Sequence, residues 1–160
     1  MKLNSALTKL KNLKSQVARV DGYITTSLTY YEGDEPEYNY VEEVENRRKL
    51  LGEIRALKTK IMQTNAVTKL NIKDNAPPVS INELMLLNAE LRSELAHWTA
   101  LLAVSLESPY GGRNKDTVKK RYAEGYSKAE IKTKLVHLEK SKEQVEGLLA
   151  QANADTDLVG

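Results

Sequence analysis

The sequence contains no cysteine, no phenylalanine and only one tryptophan among 160 residues. The absence of cysteine excludes disulfide bonds, thiolate zinc sites and cysteine nucleophiles, and it favours a reducing compartment. With so few aromatic residues, a core must be built from leucine, isoleucine, valine and alanine, which suits long helices packed side by side. No window approaches the ~20 consecutive apolar residues that span a bilayer. We therefore predict a cytoplasmic protein without a signal peptide, a transmembrane helix or a membrane partner.

Basic and acidic residues nearly balance over the whole chain, at 24 against 22, but they are unevenly distributed. Residues 108–142 carry ten basic and four acidic residues, a local charge of +6, so the remainder of a chain of net charge +2 carries −4. Residues 30–40 hold four carboxylates, four tyrosines and no basic residue. These opposite charges suit pairing between loops of neighbouring protomers, and nucleic-acid binding is a less favoured alternative.

Apolar residues spaced by threes and fours predict four amphipathic helices. We place the helices at about 3–29, 40–66, 81–107 and 128–153, and the loops at 30–39, 67–80 and 108–127. Ser80 and Glu83 form a capping box at the start of the third helix. In the last third, the alternation of Ile131, Thr133 and Leu135 is also compatible with a short β-hairpin near 117–137.

The predicted fold class is all-α, with residues 1–160 forming one helical domain. The apolar stripes are narrow and resemble coiled-coil seams, so we expect long antiparallel helical hairpins that form a coiled-coil-like four-helix bundle. Hairpins of this kind commonly associate, and we predict a homo-oligomer. A monomeric four-helix bundle is the alternative.

The segment Tyr110–Lys115, with the sequence Tyr-Gly-Gly-Arg-Asn-Lys, predicts contact with a phosphate-bearing ligand. Its glycines let a backbone approach an anion closely, and Arg113 and Lys115, supported by Arg121, supply positive charge. Tyr110 or Tyr126 is the candidate residue for stacking on a base. Neither a phosphate-binding Walker loop nor a dinucleotide-binding glycine pattern is present. A flexible basic loop that contacts the acidic loop of a partner protomer explains the same composition.

Signatures of catalysis and of metal binding are weak. Two histidines, His97 and His137, do not favour a multi-histidine metal site. Asn153, Asp155 and Asp157 lack the glutamate that completes a calcium loop. We therefore predict no catalytic residue, no metal and no cofactor. A hydrolase whose acidic loop holds Mg²⁺ is a less favoured alternative.

Several segments together resemble the septicolysin-like family of small helical bacterial and phage proteins. They are Met1-Lys2-Leu3, Glu32-Gly33-Asp34-Glu35-Pro36, Thr64-Asn65-Ala66-Val67-Thr68, Tyr126 to Lys132 and Gln151-Ala152-Asn153. The resemblance implies that polar residues at helix ends belong to a pattern, and our functional hypothesis is that they line a polar pocket. Those residues are Asp34, Glu35, Thr64, Asn65, Thr68, Gln151 and Asn153. Asn65 is equally suited to cap a helix C-terminus.

Taken together, these features favour a non-enzymatic homo-oligomer that binds a small polar, nucleotide-like ligand. Encoded by a phage, such a protein would act as a sponge that sequesters a host immune signalling nucleotide in the host cytoplasm. A purely structural coiled-coil assembly, which binds nothing small, is the competing hypothesis.

Overall fold

The computed structural model describes residues 1–72, 76–106 and 121–160. These residues form four helices and one small two-stranded antiparallel sheet, which confirms the predicted all-α class. The helices are α1 (Leu3–Thr26), α2 (Tyr40–Val67), α3 (Ile81–Leu102) and α4 (Lys128–Asp155). The strands are β1 (Lys69–Leu70) and β2 (Val79–Ser80). Among the described helices, none is both long and apolar enough to cross a membrane.

The first helix ends at Thr26, before the predicted boundary at residue 29. The hydroxyls of Thr25, Thr26 and Ser27 each donate to the carbonyl four residues earlier, at 2.8, 3.0 and 2.9 Å. Hydroxyl side chains that bond to nearby backbone groups compete with the helical pattern. Leu28, the last residue of the predicted apolar stripe, is 60% exposed, so no core contact extends the helix to it.

Side-chain caps fix the starts of α2 and α4. The Asn39 side chain accepts from the backbone N–H groups of Val41 and Glu42 at 3.1 and 3.3 Å. The Ser127 hydroxyl accepts from the Glu130 N–H at 3.3 Å. Each cap satisfies donors that have no partner within the first helical turn. Because α4 then continues through Asp155, the alternative of a strand over residues 131–137 is wrong.

The start of α3 carries the predicted capping box. The Ser80 hydroxyl accepts from the Glu83 N–H at 3.2 Å, and the Glu83 carboxylate accepts from the Ser80 backbone N–H. That backbone bond is the main reason why the pKa of Glu83 lies below its ordinary value. The helix ends at Leu102 rather than near residue 107, and the Tyr126 hydroxyl then donates to the Leu101 carbonyl. A tyrosine therefore satisfies one of the acceptors that a helix end leaves exposed.

Replacing Ser80 with alanine is expected to lower the free energy of unfolding by about 1 kcal/mol, because the change removes a buried N-cap. Ser80 is only 6% exposed, so water would replace the lost bond poorly. Urea denaturation followed by circular dichroism measures the change. The control is Ser93→Ala, at an exposed position within α3, which should be neutral or slightly stabilising. Equal effects of both substitutions would contradict the capping role.

The small sheet lies outside the region where a β-hairpin was considered. Lys69 pairs with Ser80 and Leu70 pairs with Val79, within a stretch predicted as loop 67–80. Strands of two residues offer too little alternation to be recognised in sequence. The structure describes residues 121–137 of the region where a hairpin is an alternative, 117–137. These residues form the start of α4 and the turn before it, and no strand lies among them.

The chain divides into two compact units, which we call the first unit (Met1–Glu83 with Leu149–Gly160) and the second unit (Leu84–Leu148). In the first unit α1 and α2 form a hairpin, in which Arg47 donates to Asp21 at 2.6 Å. Its core consists of Leu3, Ala6, Leu13, Ile54, Leu57, Ile61, Ile81 and Ala152. The first residue of α3 and the last turns of α4 therefore complete the apolar core of the α1/α2 hairpin.

In the second unit the side chains that join α3 to α4 lie at antiparallel positions. Arg92 donates to Glu146 at 2.8 Å, near the middle of α3 and late in α4, whereas Trp98 contacts Lys134 early in α4. Lys142 also bonds to Glu146 at 3.0 Å, and the Arg92 and Lys142 bonds hold the pKa of this carboxyl below its usual range. Leu84, Ile131 and Val145 are buried here.

The ends of the described chain pair with each other in the first unit. Lys2 and Asp157 form an antiparallel bridge, flanked by backbone bonds from Leu3 N–H to Thr156 O and from Leu158 N–H to Met1 O, both 2.9 Å. The Lys2 ammonium contacts the Asp157 carboxylate at 2.9 Å. This bond is the main cause of the lowered pKa of Asp157.

Candidate functional site

A pocket of about 300 Å³ in the second unit combines aromatic rings with charged groups. We call it the tryptophan pocket; its lining residues are Trp98, Leu101, Gly125, Tyr126, Ser127, Glu130, Ile131 and Lys134. The size lies at the lower end of the range for small-molecule sites. The end of α3, the start of α4 and the turn before α4 supply the walls.

Trp98 is held in place on two sides. Its indole N–H donates to the Glu94 carboxylate at 2.8 Å, one turn earlier on α3. The Lys134 ammonium lies 3.7 Å from the centroid of the indole ring. A cation over an aromatic face is attracted by the negative charge density of the ring, which fixes the lysine in a defined position. The pocket therefore presents a positioned positive charge against an apolar surface.

Two stacked tyrosines extend this aromatic surface. The rings of Tyr122 and Tyr126 lie 4.7 Å apart at an interplanar angle of 30°. Both hydroxyls donate to backbone carbonyls at the end of α3, Tyr122 to Val104 and Tyr126 to Leu101. Lys128 lies 5.4 Å from the Tyr122 ring centroid and adds a second cation. The hydroxyl bonds and the mutual stacking hold both rings in position, so that one face of each ring is already covered by the other.

The turn before α4 shapes the opening of the pocket. Gly125 has φ of 81°, a conformation that residues with a Cβ rarely adopt. It brings Tyr126 and Ser127 to the first turn of α4, where backbone N–H groups and the helix dipole favour an anion. Glu130 lines the same pocket and offers an acceptor for a hydroxyl or amino group.

A shallower hollow of about 470 Å³ lies along α4 and shares Glu130 and Lys134 with the tryptophan pocket. Ala129, Thr133 and His137 complete its lining. His97 stands edge-on to Trp98, with ring centroids 5.3 Å apart. Among the described residues, no group of three or more histidine, aspartate or glutamate side chains is arranged to hold a metal ion.

The residues predicted to bind a ligand fall into separate places. Tyr110, Arg113 and Lys115 lie outside the described residues. Arg121 is exposed, and Tyr126 lines the tryptophan pocket.

The predicted residues near the end of α2 belong to the first unit. Thr64 is fully buried and Asn65 is 8% exposed. The Thr64 hydroxyl donates to Lys60 O at 2.8 Å and accepts from Val159 N–H at 3.1 Å. Thr68, rather than Asn65, is the C-cap of α2, so the capping interpretation of Asn65 is wrong. The Gln151 side chain is exposed and that of Asn153 is half-buried near the end of α4.

Asp34 and Glu35 are exposed residues in the loop that precedes α2. Thr64 lies near the opposite end of the same helix, about 36 Å away from Tyr40 at 1.5 Å per residue. Because α2 separates these positions, one chain does not form the expected polar pocket that combines Asp34 and Glu35 with Thr64 and Asn65.

Sequence reasoning did not identify Trp98 and Lys134 as partners. Trp98 lies in the apolar stripe of α3, and Lys134 is one of several lysines in a basic segment. Among the described residues, Tyr126 is the one predicted ligand-binding residue that lines this pocket, and the prediction depends on the capacity of a tyrosine ring to stack on a base.

No family model matches the chain, and comparison with curated proteins finds no match. Among solved structures, the chain is similar to a functionally unknown conserved protein from Corynebacterium diphtheriae. The two share 20% sequence identity with a TM-score of 0.78, and the match covers 99% of each chain. A likeness at this identity shows the fold alone.

Proposed function

We propose that the protein binds a small phosphate-bearing, nucleotide-like ligand in the tryptophan pocket without cleaving it. The observation that carries the proposal is the Lys134 ammonium, held 3.7 Å from the Trp98 ring centroid in a pocket that Tyr126 also lines. An ammonium fixed beside apolar rings suits a ligand that is charged at one end and flat at the other.

Each part of such a ligand has a complementary group. Lys134 and the first turn of α4 are placed to attract a phosphate. The face of Tyr126 that Tyr122 does not cover is suited to stack on a base, since stacking on an aromatic side chain is worth ~1–3 kcal/mol per base. Glu130 and Ser127 offer an acceptor and a hydroxyl to a sugar or to the edge of a base. Arg121, Arg113 and Lys115 belong to the same basic segment and would add positive charge.

By holding the ligand intact, the protein would act as a sponge for a signalling nucleotide in the cytoplasm. Membership of the septicolysin-like family, a phage origin and assembly into a homo-oligomer are parts of the same proposal. Oligomerisation is supported by apolar side chains that stay exposed on the described chain, such as Leu7 at 40% and Leu86 at 65%.

A thermal-shift screen with mononucleotides, dinucleotides and cyclic nucleotides tests the proposal. A ligand at one hundred times its dissociation constant stabilises the folded state by ~2.7 kcal/mol, which should raise the melting temperature by about 5–10 °C. Lys134→Gln should weaken binding about tenfold or more, since a hydrogen bond to a charged group contributes ~1.5–3 kcal/mol. The ligand should be recovered unchanged after incubation.

The matched control is Lys140→Gln, which removes the same charge from an exposed position on α4 outside the pocket. If no nucleotide shifts the melting temperature, or if both variants lose affinity equally, the pocket is not the binding site. Melting each variant without ligand separates loss of binding from loss of folding. A hydrolysed ligand would instead favour a catalytic role.

A second candidate function is a purely structural coiled-coil assembly. Val41, Val44, Leu51 and Met62 on α2 are 72%, 41%, 36% and 67% exposed. These residues are spaced by threes and fours on one face of α2, where Arg48, Arg55 and Lys58 take the intervening positions, so a partner helix would need to offer acidic groups opposite them. A stable assembly in light scattering, together with no response to any nucleotide, would favour this function.

A further inference from the structure

A second pocket, of about 370 Å³, lies along the α1/α2 hairpin of the first unit. We call it the hairpin groove; its lining residues are Gln16, Arg19, Val20, Tyr23, Asn46, Lys49 and Leu50. On α1 these residues lie at positions i, i+3, i+4 and i+7, and on α2 at i, i+3 and i+4, so each helix presents one face to the groove. The groove is therefore a property of the helix pair and not of a loop.

Two cations converge on the groove from opposite helices, Arg19 from α1 and Lys49 from α2. Within the described residues, neither one makes an ion pair. Two nearby arginines on α2 do form ion pairs. Arg47 contacts Asp21 at 2.6 Å, and Arg48 contacts Glu45 at 2.8 Å. Asp21 and Glu45 are thus engaged mainly by other cations, whereas Glu43 accepts a hydrogen bond from the groove residue Asn46.

The remaining walls offer neutral polar groups and a fixed ring. Gln16 carries an amide that can donate to an anion or to a hydroxyl, and the Asn46 amide, which gives one hydrogen bond to Glu43 at 3.4 Å, retains a second N–H. Tyr23 stacks on Tyr38, with ring centroids 4.2 Å apart and an interplanar angle of 19°. The stack connects the acidic loop to α1 and holds the Tyr23 ring at the edge of the groove.

We propose that the hairpin groove binds a compact phosphate-bearing anion, with Arg19 and Lys49 as its charged ligands and Gln16 and Asn46 as neutral donors. A guanidinium matches two phosphate oxygens at once, and a lysine adds a point charge from the opposite side. Two unpaired cations that face one cavity repel each other, and an anion between them removes that repulsion. The site is separate from the tryptophan pocket and does not depend on the function proposed for it.

Titration calorimetry with pyrophosphate tests the groove, in protein that carries Lys134→Gln so that the tryptophan pocket contributes little. The double variant Arg19→Gln/Lys49→Gln should weaken binding about thirtyfold or more, because it removes two charge-assisted contacts. The matched control is Lys14→Gln/Lys58→Gln, which removes two exposed cations from the same helices outside the groove. At ~0.15 M salt the control should change affinity less than about threefold, since distant charges are screened.

Three results would overturn the proposal. The first is no pyrophosphate binding by protein that retains Arg19 and Lys49. The second is an equal loss in both double variants, which would mean non-specific attraction to a basic surface. The third is a dimer that only Arg19→Gln/Lys49→Gln dissociates, which would mean that the acidic loop of a second copy occupies the groove. Melting curves of both double variants confirm that each is folded.

Discussion

Truncation of Leu3 to alanine should lower the free energy of unfolding by about 3 kcal/mol, within the ~2–5 kcal/mol observed for buried leucines. Leu3 has no exposed surface and belongs to the core of the first unit, together with Ala6, Ile61 and Ala152. The substitution removes apolar contacts and leaves a cavity, because a core that receives side chains from several helices relaxes only partly. Chemical denaturation monitored at 222 nm measures the loss.

Leu7→Ala provides the internal comparison. Leu7 lies one turn later in the same predicted stripe, but it is 40% exposed. In a monomer its truncation should cost about 1–1.5 kcal/mol, clearly less than at Leu3, since a large part of the side chain already faces solvent. A cost equal to that of Leu3→Ala would contradict this expectation. It would mean that a second copy buries Leu7, and light scattering would then detect the assembly.

The second large effect is expected at Thr64, whose hydroxyl both donates to Lys60 O and accepts from Val159 N–H. Thr64→Val keeps the shape of the side chain but removes the acceptor, so the Val159 N–H loses its partner. Val159 is only partly exposed, and an unsatisfied donor in such a place costs ~1–3 kcal/mol. We therefore expect the free energy of unfolding to fall by about 2 kcal/mol.

Thr59→Val is the matched control for Thr64→Val. The Thr59 hydroxyl donates to Arg55 O at 3.0 Å in the same helix, but Thr59 is exposed, and within the described part of the chain no backbone N–H donates to its hydroxyl. This substitution should change the free energy of unfolding by less than about 0.5 kcal/mol. If the two substitutions have equal effects, the bond to Val159 does not contribute to stability. Hydrogen exchange at the Val159 amide would show directly whether the bond protects it.

The helices were predictable because their signals are local. Ser80 and Glu83 lie three residues apart, and the apolar stripe of α2 repeats within a few turns, so both can be read without tertiary information. The helix ends were less predictable. The Tyr126 hydroxyl donates to the Leu101 carbonyl across a sequence separation of 25 residues. No local sequence pattern predicts a bond between positions so far apart.

The candidate sites were predicted less well, for a related reason. Stacking by Tyr126 was anticipated from its residue type, whereas the contact of Trp98 with Lys134 joins positions on two different helices. Thr64 was singled out as a ligand contact, but its hydroxyl engages the backbone of Val159. In both cases the deciding partner is distant in sequence, and composition gives no information on which distant residues meet.

The pairing of Met1–Leu3 with Thr156–Leu158 has a consequence for the order of events during synthesis. The α1/α2 hairpin is made of neighbouring segments and can form while the rest of the chain is still being translated, since local contacts close quickly. Ala152 and Val159, which belong to the same unit, emerge from the ribosome only after the second unit has been translated. Until they arrive, Leu3 lacks its backbone bond to Thr156 and Thr64 lacks its bond from Val159. The nascent hairpin then exposes an unfinished apolar surface that chaperones can recognise.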